Sequence, residues 1–177
     1  MNTSTNTTTV TRRGELVHLN GELPAVGSQA PDFVLTRADL SDVSLAAYEG
    51  KYKVLSIVPS LDTPTCAMSL RKFNEQATAL KNTVVLNISA DLPFAMSRFC
   101  ETEGINNVES LSMMRNRHFA KDYGVLQVDG PMAGITARAI VILDTHNKVI
   151  YTELVPEIRQ EPDYEAALDA LARHGAA

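Results

Sequence analysis

The sequence predicts an α/β protein: one mixed central sheet flanked by helices, with a β-hairpin at its N-terminal end. Three observations carry this. The runs 52–58, 82–89 and 137–143 are almost continuously apolar and β-branched, the pattern of strands buried on both faces. Between them, apolar residues recur at three- and four-residue spacing, as on one face of a helix. The chain then closes on two adjacent strands and a helix.

Taken in order, residues 14–23 read as the hairpin. Asn20-Gly21 is a strong two-residue turn signal, flanked by Val17, Leu19 and Leu23. Pro24 and Gly27 break the pattern, and 32–36 is a short strand. After the strand 52–58, Pro64 opens a helix with Leu70, Phe73, Ala77 and Leu80 on one face. Strand 82–89 follows. Pro93 opens a second helix that carries Phe99 and Cys100, and Gly104 closes it. A weaker helical pattern covers 115–122. Strand 137–143 turns through 144–148 into its partner 149–155. Pro162 opens the last helix, with Tyr164, Ala167, Leu168 and Leu171 on one face. This order, with its closing strand–strand–helix unit, is that of a thioredoxin-like fold. Nothing divides the chain, so residues 14–177 are expected to be a single domain. Residues 1–13, rich in Thr and Asn, are expected to be a disordered tail.

Of the 177 residues, 45% are hydrophobic, enough for a substantial core. The net charge of −5 and the scattered basic residues argue against a nucleic-acid surface. The pair Arg12-Arg13 reads as solvated charge. No apolar stretch is long enough to span a membrane, and the first residues lack the charged and apolar regions of a signal peptide. A cytoplasmic location is the expectation. His18, His118, His146 and His174 show no metal-ligand spacing, and no cofactor is expected.

Two cysteines do not make a disulfide scaffold; in a reducing compartment they are buried hydrophobes or redox chemistry. Cys66 follows Thr63-Pro64. A proline at the first helical position makes Thr63 the N-cap and Cys66 the third residue of the helix. A sulfur there faces unpaired backbone N–H groups and the positive end of the helix dipole, both of which favour the reactive thiolate. Thr63 and Cys66 can then hold one small polar ligand between them. The alternative is an ordinary cap beside a buried small hydrophobe. Arg138, at the start of an apolar strand, is either a charged ligand for that site or a strand-end arginine reaching solvent.

The run Pro59-x-x-x-Thr63-x-x-Cys66 resembles the active-site motif of the peroxiredoxins. The segments 71–74, 89–95, 97–100, 129–131, 137–139 and 161–168 match as well, and together they resemble the bacterial thiol peroxidases of that family over residues 14–171. The resemblance implies reduction of hydrogen peroxide and alkyl hydroperoxides, with Cys66 as the peroxidatic and Cys100 as the resolving cysteine of one intramolecular disulfide. It implies that Thr63 and Arg138 position the peroxide and that Pro59 shields it. It also implies thioredoxin as reductant and a homodimer. Met68, Met96, Met113, Met114 and Met132 either fill the core or line an apolar mouth. If Cys100 sits in a helix, the segment 94–104 must unfold locally for the two sulfurs to meet, since a disulfide needs Cα atoms within about 7 Å.

Two other functions share the fold. A dithiol–disulfide oxidoreductase normally uses Cys-x-x-Cys, and Thr63 occupies the first position here. A non-enzymatic redox sensor using the same Cys66–Cys100 switch is harder to separate, because it also needs a reactive thiolate.

Overall fold

A computed structural model describes residues 8–175. Its centre is a seven-stranded sheet in the order β4-β3-β7-β6-β5-β8-β9. The strands are β3 (Val34–Arg37), β4 (Asp42–Ser44), β5 (Tyr52–Ile57), β6 (Thr83–Ser89), β7 (Glu109–Ser112), β8 (Ala139–Leu143) and β9 (Val149–Leu154). β6 runs parallel to both β5 and β7, while β8 is antiparallel to β5. The sheet is therefore mixed, with the expected thioredoxin-like arrangement.

The two faces of the sheet bury different residues because side chains alternate along a strand. Leu55, Ile57, Val141 and Leu143 pack on one face with Phe119 and Tyr123, from and just beyond α3 (His118–Asp122). Val54, Ile140 and Ile142 pack on the other against α1 (Pro64–Ala77), α2 (Pro93–Glu103) and α4 (Tyr164–Arg173), through Leu70, Phe73, Met96 and Leu171. β5 and β8 are covered on both sides, as their continuous apolar sequences require. Of the methionines, Met96 and Met113 belong to this core and Met68 is exposed.

The N-terminal hairpin forms one turn earlier than the sequence suggests. β1 (Thr9–Arg12) pairs with β2 (Glu15–His18), and the turn is Arg13-Gly14, with φ of 54° and 81°. Positive φ at both central residues matches the right-handed twist of the strands. Asn20 is diverted to tertiary contacts: its side chain donates to Lys121 O and accepts from Leu126 N. Nearby, Gly124 has φ of 69°, and a Cβ there would sit 2.0 Å from Glu22 O, so only glycine fits. Residues 9–12, assigned to the tail from sequence, are thus a strand, and residues 1–7 of that tail lie outside the described residues.

The helix boundaries follow local chemistry. Pro64 and Pro93 begin α1 and α2, and Gly104 ends α2 in the left-handed conformation. α4 starts at the cap Asp163, whose carboxylate accepts from Ala166 N, rather than at Pro162. The strand β7 was not visible in the sequence. Four residues, Glu-Ser-Leu-Ser, carry too little pattern; pairing with β6 and β3 makes them a strand.

Candidate active site

β5 runs through the centre of the sheet and delivers the chain to Pro59, which is buried. The loop that follows is tied down by Asp91, which accepts from Ser60 Oγ and from Leu61 N, both at 2.8 Å. Ser89 Oγ donates to the same carboxylate at 2.6 Å. This fixes where α1 begins. Thr63 is its N-cap and Cys66 its third residue, as the proline predicts.

The sulfur does not bond the Thr63 amide, as the third side chain of a capping box would. That N–H donates to Ser60 O at 3.4 Å, and the Thr63 hydroxyl donates to the same oxygen at 3.1 Å. With its proton engaged, the hydroxyl faces a ligand as an acceptor. No side chain caps the first turn of α1.

Cys66 is fully buried, and its neighbour is Arg138. The arginine is only 2% exposed, so it does not reach solvent as a strand-end arginine would. Its Nε donates to Ile158 O at 3.1 Å, and its Nη2 lies 3.0 Å from Cys66 Sγ. Nη1 is buried and has no hydrogen-bond partner. Among the described residues no carboxylate lies within 4.0 Å of this guanidinium. A buried cation is costly unless an anion faces it, and the sulfur is the group in that place.

A cavity of about 310 Å3 opens at Arg138; Cys66, fully buried, is not among its lining residues. Pro59, Thr63, Arg138 and Met132 line it, and so do Arg12, Arg13 and Arg159. The hairpin arginines, read from sequence as solvated charge, belong to the site. No local signal in the sequence could have found them, because the hairpin is brought there by Thr11, whose N donates to Pro156 O at 2.8 Å and whose O accepts from Ile158 N at 2.9 Å, and by Glu157. Its carboxylate accepts from Thr11 Oγ1 at 2.7 Å, Arg13 N at 2.9 Å and Gly14 N at 3.3 Å. Thr65 Oγ1 also ties the start of α1 to Arg159 O at 2.9 Å.

Partial burial would raise the Glu157 carboxyl, but the hydrogen bonds from Thr11, Arg13, Gly14 and Arg159 outweigh it and hold the group down at about 2. A lowered acid stabilises the fold above its unfolded value of 4.5, and that contribution is lost as pH falls towards 2. Glu157→Gln is expected to lower Tm at pH 7 by about 2–4 °C, a figure already reduced for solvent screening. The difference from wild type should vanish near pH 2, and thermal unfolding across that range checks it.

Cys100 lies elsewhere. It sits on α2, half-buried, and lines a separate groove of about 740 Å3 with Arg37, Val84, Ser97, Glu109 and Ser110. Both cysteines are free thiols. Burial pushes the Cys100 thiol above the ordinary thiol range, and the Ser110 hydroxyl at 3.7 Å offsets this only in part. The structure therefore joins Cys66, Thr63, Arg138 and Pro59 in one site and leaves Cys100 outside it.

The redoxin family model matches residues 25–168. A thiol peroxidase of Mycobacterium bovis (strain ATCC BAA-935 / AF2122/97) is 54% identical over 162 residues, which span 92% of this chain and 97% of that protein. Among solved structures, a peroxiredoxin-like protein from Aquifex aeolicus superposes with a TM-score of 0.88 at 41% identity, covering 93% of this chain and 96% of that one. A thiol peroxidase from Chromobacterium violaceum superposes with a TM-score of 0.87 at 27% identity, covering 94% and 96%. A buried thiol facing an arginine at a helix start is the chemistry such relatives would need, and the chain belongs to the redoxin family as a peroxidase of the bacterial thiol peroxidase type.

Proposed function

We propose that the chain reduces hydrogen peroxide and alkyl hydroperoxides through a Cys66 sulfenic acid, resolved by Cys100 and recycled by thioredoxin. One observation carries the reading: the three nitrogens of Arg138 are divided among the backbone, the sulfur and nothing. Nε fixes the side chain and Nη2 faces Sγ, which leaves Nη1 as a buried donor without an acceptor on a residue that lines the cavity. A peroxide oxygen is an acceptor of the kind that donor lacks.

The chemistry sets what each residue must do. The Cys66 thiolate attacks one peroxide oxygen, an S–O bond forms, and the O–O bond breaks with its electron pair on the leaving oxygen. That oxygen takes a proton and departs as an alcohol or water, while sulfur becomes the sulfenic acid. Ionising a thiol of ordinary pKa 8.5 gains only about 30-fold at neutral pH. Enzymes typically achieve about 10⁶-fold or more. The larger share must come from donors aimed at the charge that grows on the leaving oxygen, and Arg138 supplies a permanent charge with fixed geometry. Thr63, whose own proton is engaged with Ser60 O, accepts from the peroxide O–H. Pro59, buried at the cavity wall, keeps water from the sulfur.

In the second step the Cys100 sulfur attacks the sulfenic acid, a disulfide forms and water leaves. Thioredoxin then reduces the disulfide with its own two thiols. Burial keeps Cys100 protonated at rest, so opening α2 would both free the nucleophile and bring it to Cys66. Homodimerisation belongs to the same proposal on the resemblance, and a cytoplasmic location on the sequence pattern of the first residues. No described helix is long and apolar enough to cross a membrane.

Cys100→Ser separates the steps. It is expected to form sulfenic acid once per chain with peroxide yet lose turnover coupled to thioredoxin, thioredoxin reductase and NADPH. The chain has no tryptophan, so dimedone trapping with mass spectrometry is the direct readout. Normal cycling of this variant would remove Cys100 from the mechanism. Hydrogen exchange should show less protection of Pro93–Glu103 in the oxidised form, and equal protection would count against the opening of α2.

A further inference from the structure

Four of the chain's 16 basic residues, Arg12, Arg13, Arg138 and Arg159, line the cavity at Arg138, and among the described residues no acidic one does. The protein as a whole carries −5, so this is a local reversal of sign. Clustered charge of one sign in a cavity focuses the field and raises the local concentration of its counter-ion. Hydrogen peroxide, small and neutral, gains nothing from that. We infer that the rim selects hydroperoxides that also carry a carboxylate, with Arg12, Arg13 and Arg159 as specificity-determining residues. The inference rests on the peroxidase reading of the same cavity.

The arginines fall into two tiers. Arg138 is buried at the sulfur, with Nη1 left for the peroxide. Arg12 is half-buried, and Arg13 and Arg159 are exposed at the mouth. Among the described residues none of the three rim arginines has a carboxylate within 4.0 Å. Two acids are close in the fold and neither neutralises them. Glu15, opposite Arg12 in the hairpin register, is exposed and forms no ion pair. Glu157 gives its oxygens to the Thr11 hydroxyl and to the amides of Arg13, Gly14 and Arg159. It thereby holds the hairpin turn at the mouth while leaving the guanidinium groups available, which makes it a positioning residue.

Size fits the same ligand class. A volume of about 310 Å3 equals about ten waters at 30 Å3 each. That accommodates a short chain with a hydroperoxide at one end and a carboxylate at the other. With the hydroperoxide at Arg138 and Cys66, the carboxylate lies towards the rim, where bidentate pairing with arginine is the favoured geometry.

The test uses a matched pair: 4-hydroperoxy-4-methylpentanoate and its methyl ester, each with the full-length protein and thioredoxin recycling. The readout is the ratio of kcat/KM for acid over ester, which cancels any general loss of activity in a variant. In wild type the ratio should exceed one at low salt and fall as salt screens the rim. Arg12→Gln/Arg13→Gln should lower it about tenfold, and Arg159→Gln about threefold, the scale of exposed charge pairs. Arg117→Gln, at α3's exposed start and with the same charge change as Arg159→Gln, should leave the ratio at the wild-type value. Glu157→Gln should lower the ratio, and Glu157→Asp should restore part of it. A merely structural role for Glu157 would lower both substrates together. Equal kcat/KM for acid and ester at all salt concentrations would overturn the inference and leave the peroxidase reading intact. Failure to reduce either compound or hydrogen peroxide would overturn both.

Discussion

Cys66→Ser is expected to abolish peroxide consumption, with the thioredoxin-coupled rate falling more than about 10³-fold, to background. The substitution removes the sulfur beside Arg138, the group that donates an electron pair to the O–O bond and then holds the oxygen. Serine is close in size, and its hydroxyl can still take the hydrogen bond from Arg138 Nη2. The fold should survive, with stability lowered by as much as about 3–5 kcal/mol, because the buried guanidinium then faces a neutral group. A coupled NADPH assay with hydrogen peroxide and a urea melt on the same preparation make the comparison. Turnover persisting in a folded Cys66→Ser protein would end the proposed mechanism.

Arg138→Met is expected to slow sulfenic acid formation by about 10²–10³-fold, the usual cost of removing a donor aimed at developing negative charge. Methionine fills part of the same buried volume without the charge. Two measurements distinguish the possible roles of the arginine. If it serves only to hold the thiolate, alkylation of Cys66 by iodoacetamide and oxidation by peroxide will slow in parallel, by at most about 30-fold. If it also polarises the O–O bond, peroxide oxidation will slow far more than alkylation, and that is the expected result. Arg138→Lys should recover little. One ammonium cannot bond Ile158 O, face Cys66 Sγ and still present a fixed third donor.

Much of the site was legible in the sequence because its geometry is local. Thr63-Pro64 fixes the start of α1, and that alone puts Cys66 on the third helical position. Pro93 and Gly104 bracket α2, and with it Cys100, in the same way. The continuous apolar runs of β5, β6 and β8 declare a sheet covered on both faces. The failures have one origin. The Asn20-Gly21 signal was strong, but Lys121 and Leu126 recruited the Asn20 side chain, and the turn closed at Arg13-Gly14. β7 is a strand because β6 and β3 flank it, not because of its four residues.

By itself, the sequence determined the sheet-and-helix order and the placement of Cys66 at a helix start, since caps, prolines and hydrophobic period act within a few residues. It named Arg138 as a ligand but left open whether that side chain reaches the sulfur or the solvent. Only the tertiary structure decided that. β8 lies beside β5 in the sheet, Ile158 O holds Nε, and the guanidinium is buried against Cys66. The same holds for Arg12, Arg13 and Arg159, which reach the cavity because the Thr11 backbone bridge and the Glu157 carboxylate join segments more than 140 residues apart. Contacts at that separation leave no mark on either segment, so a charge pair in the sequence looks alike whether it faces water or a substrate.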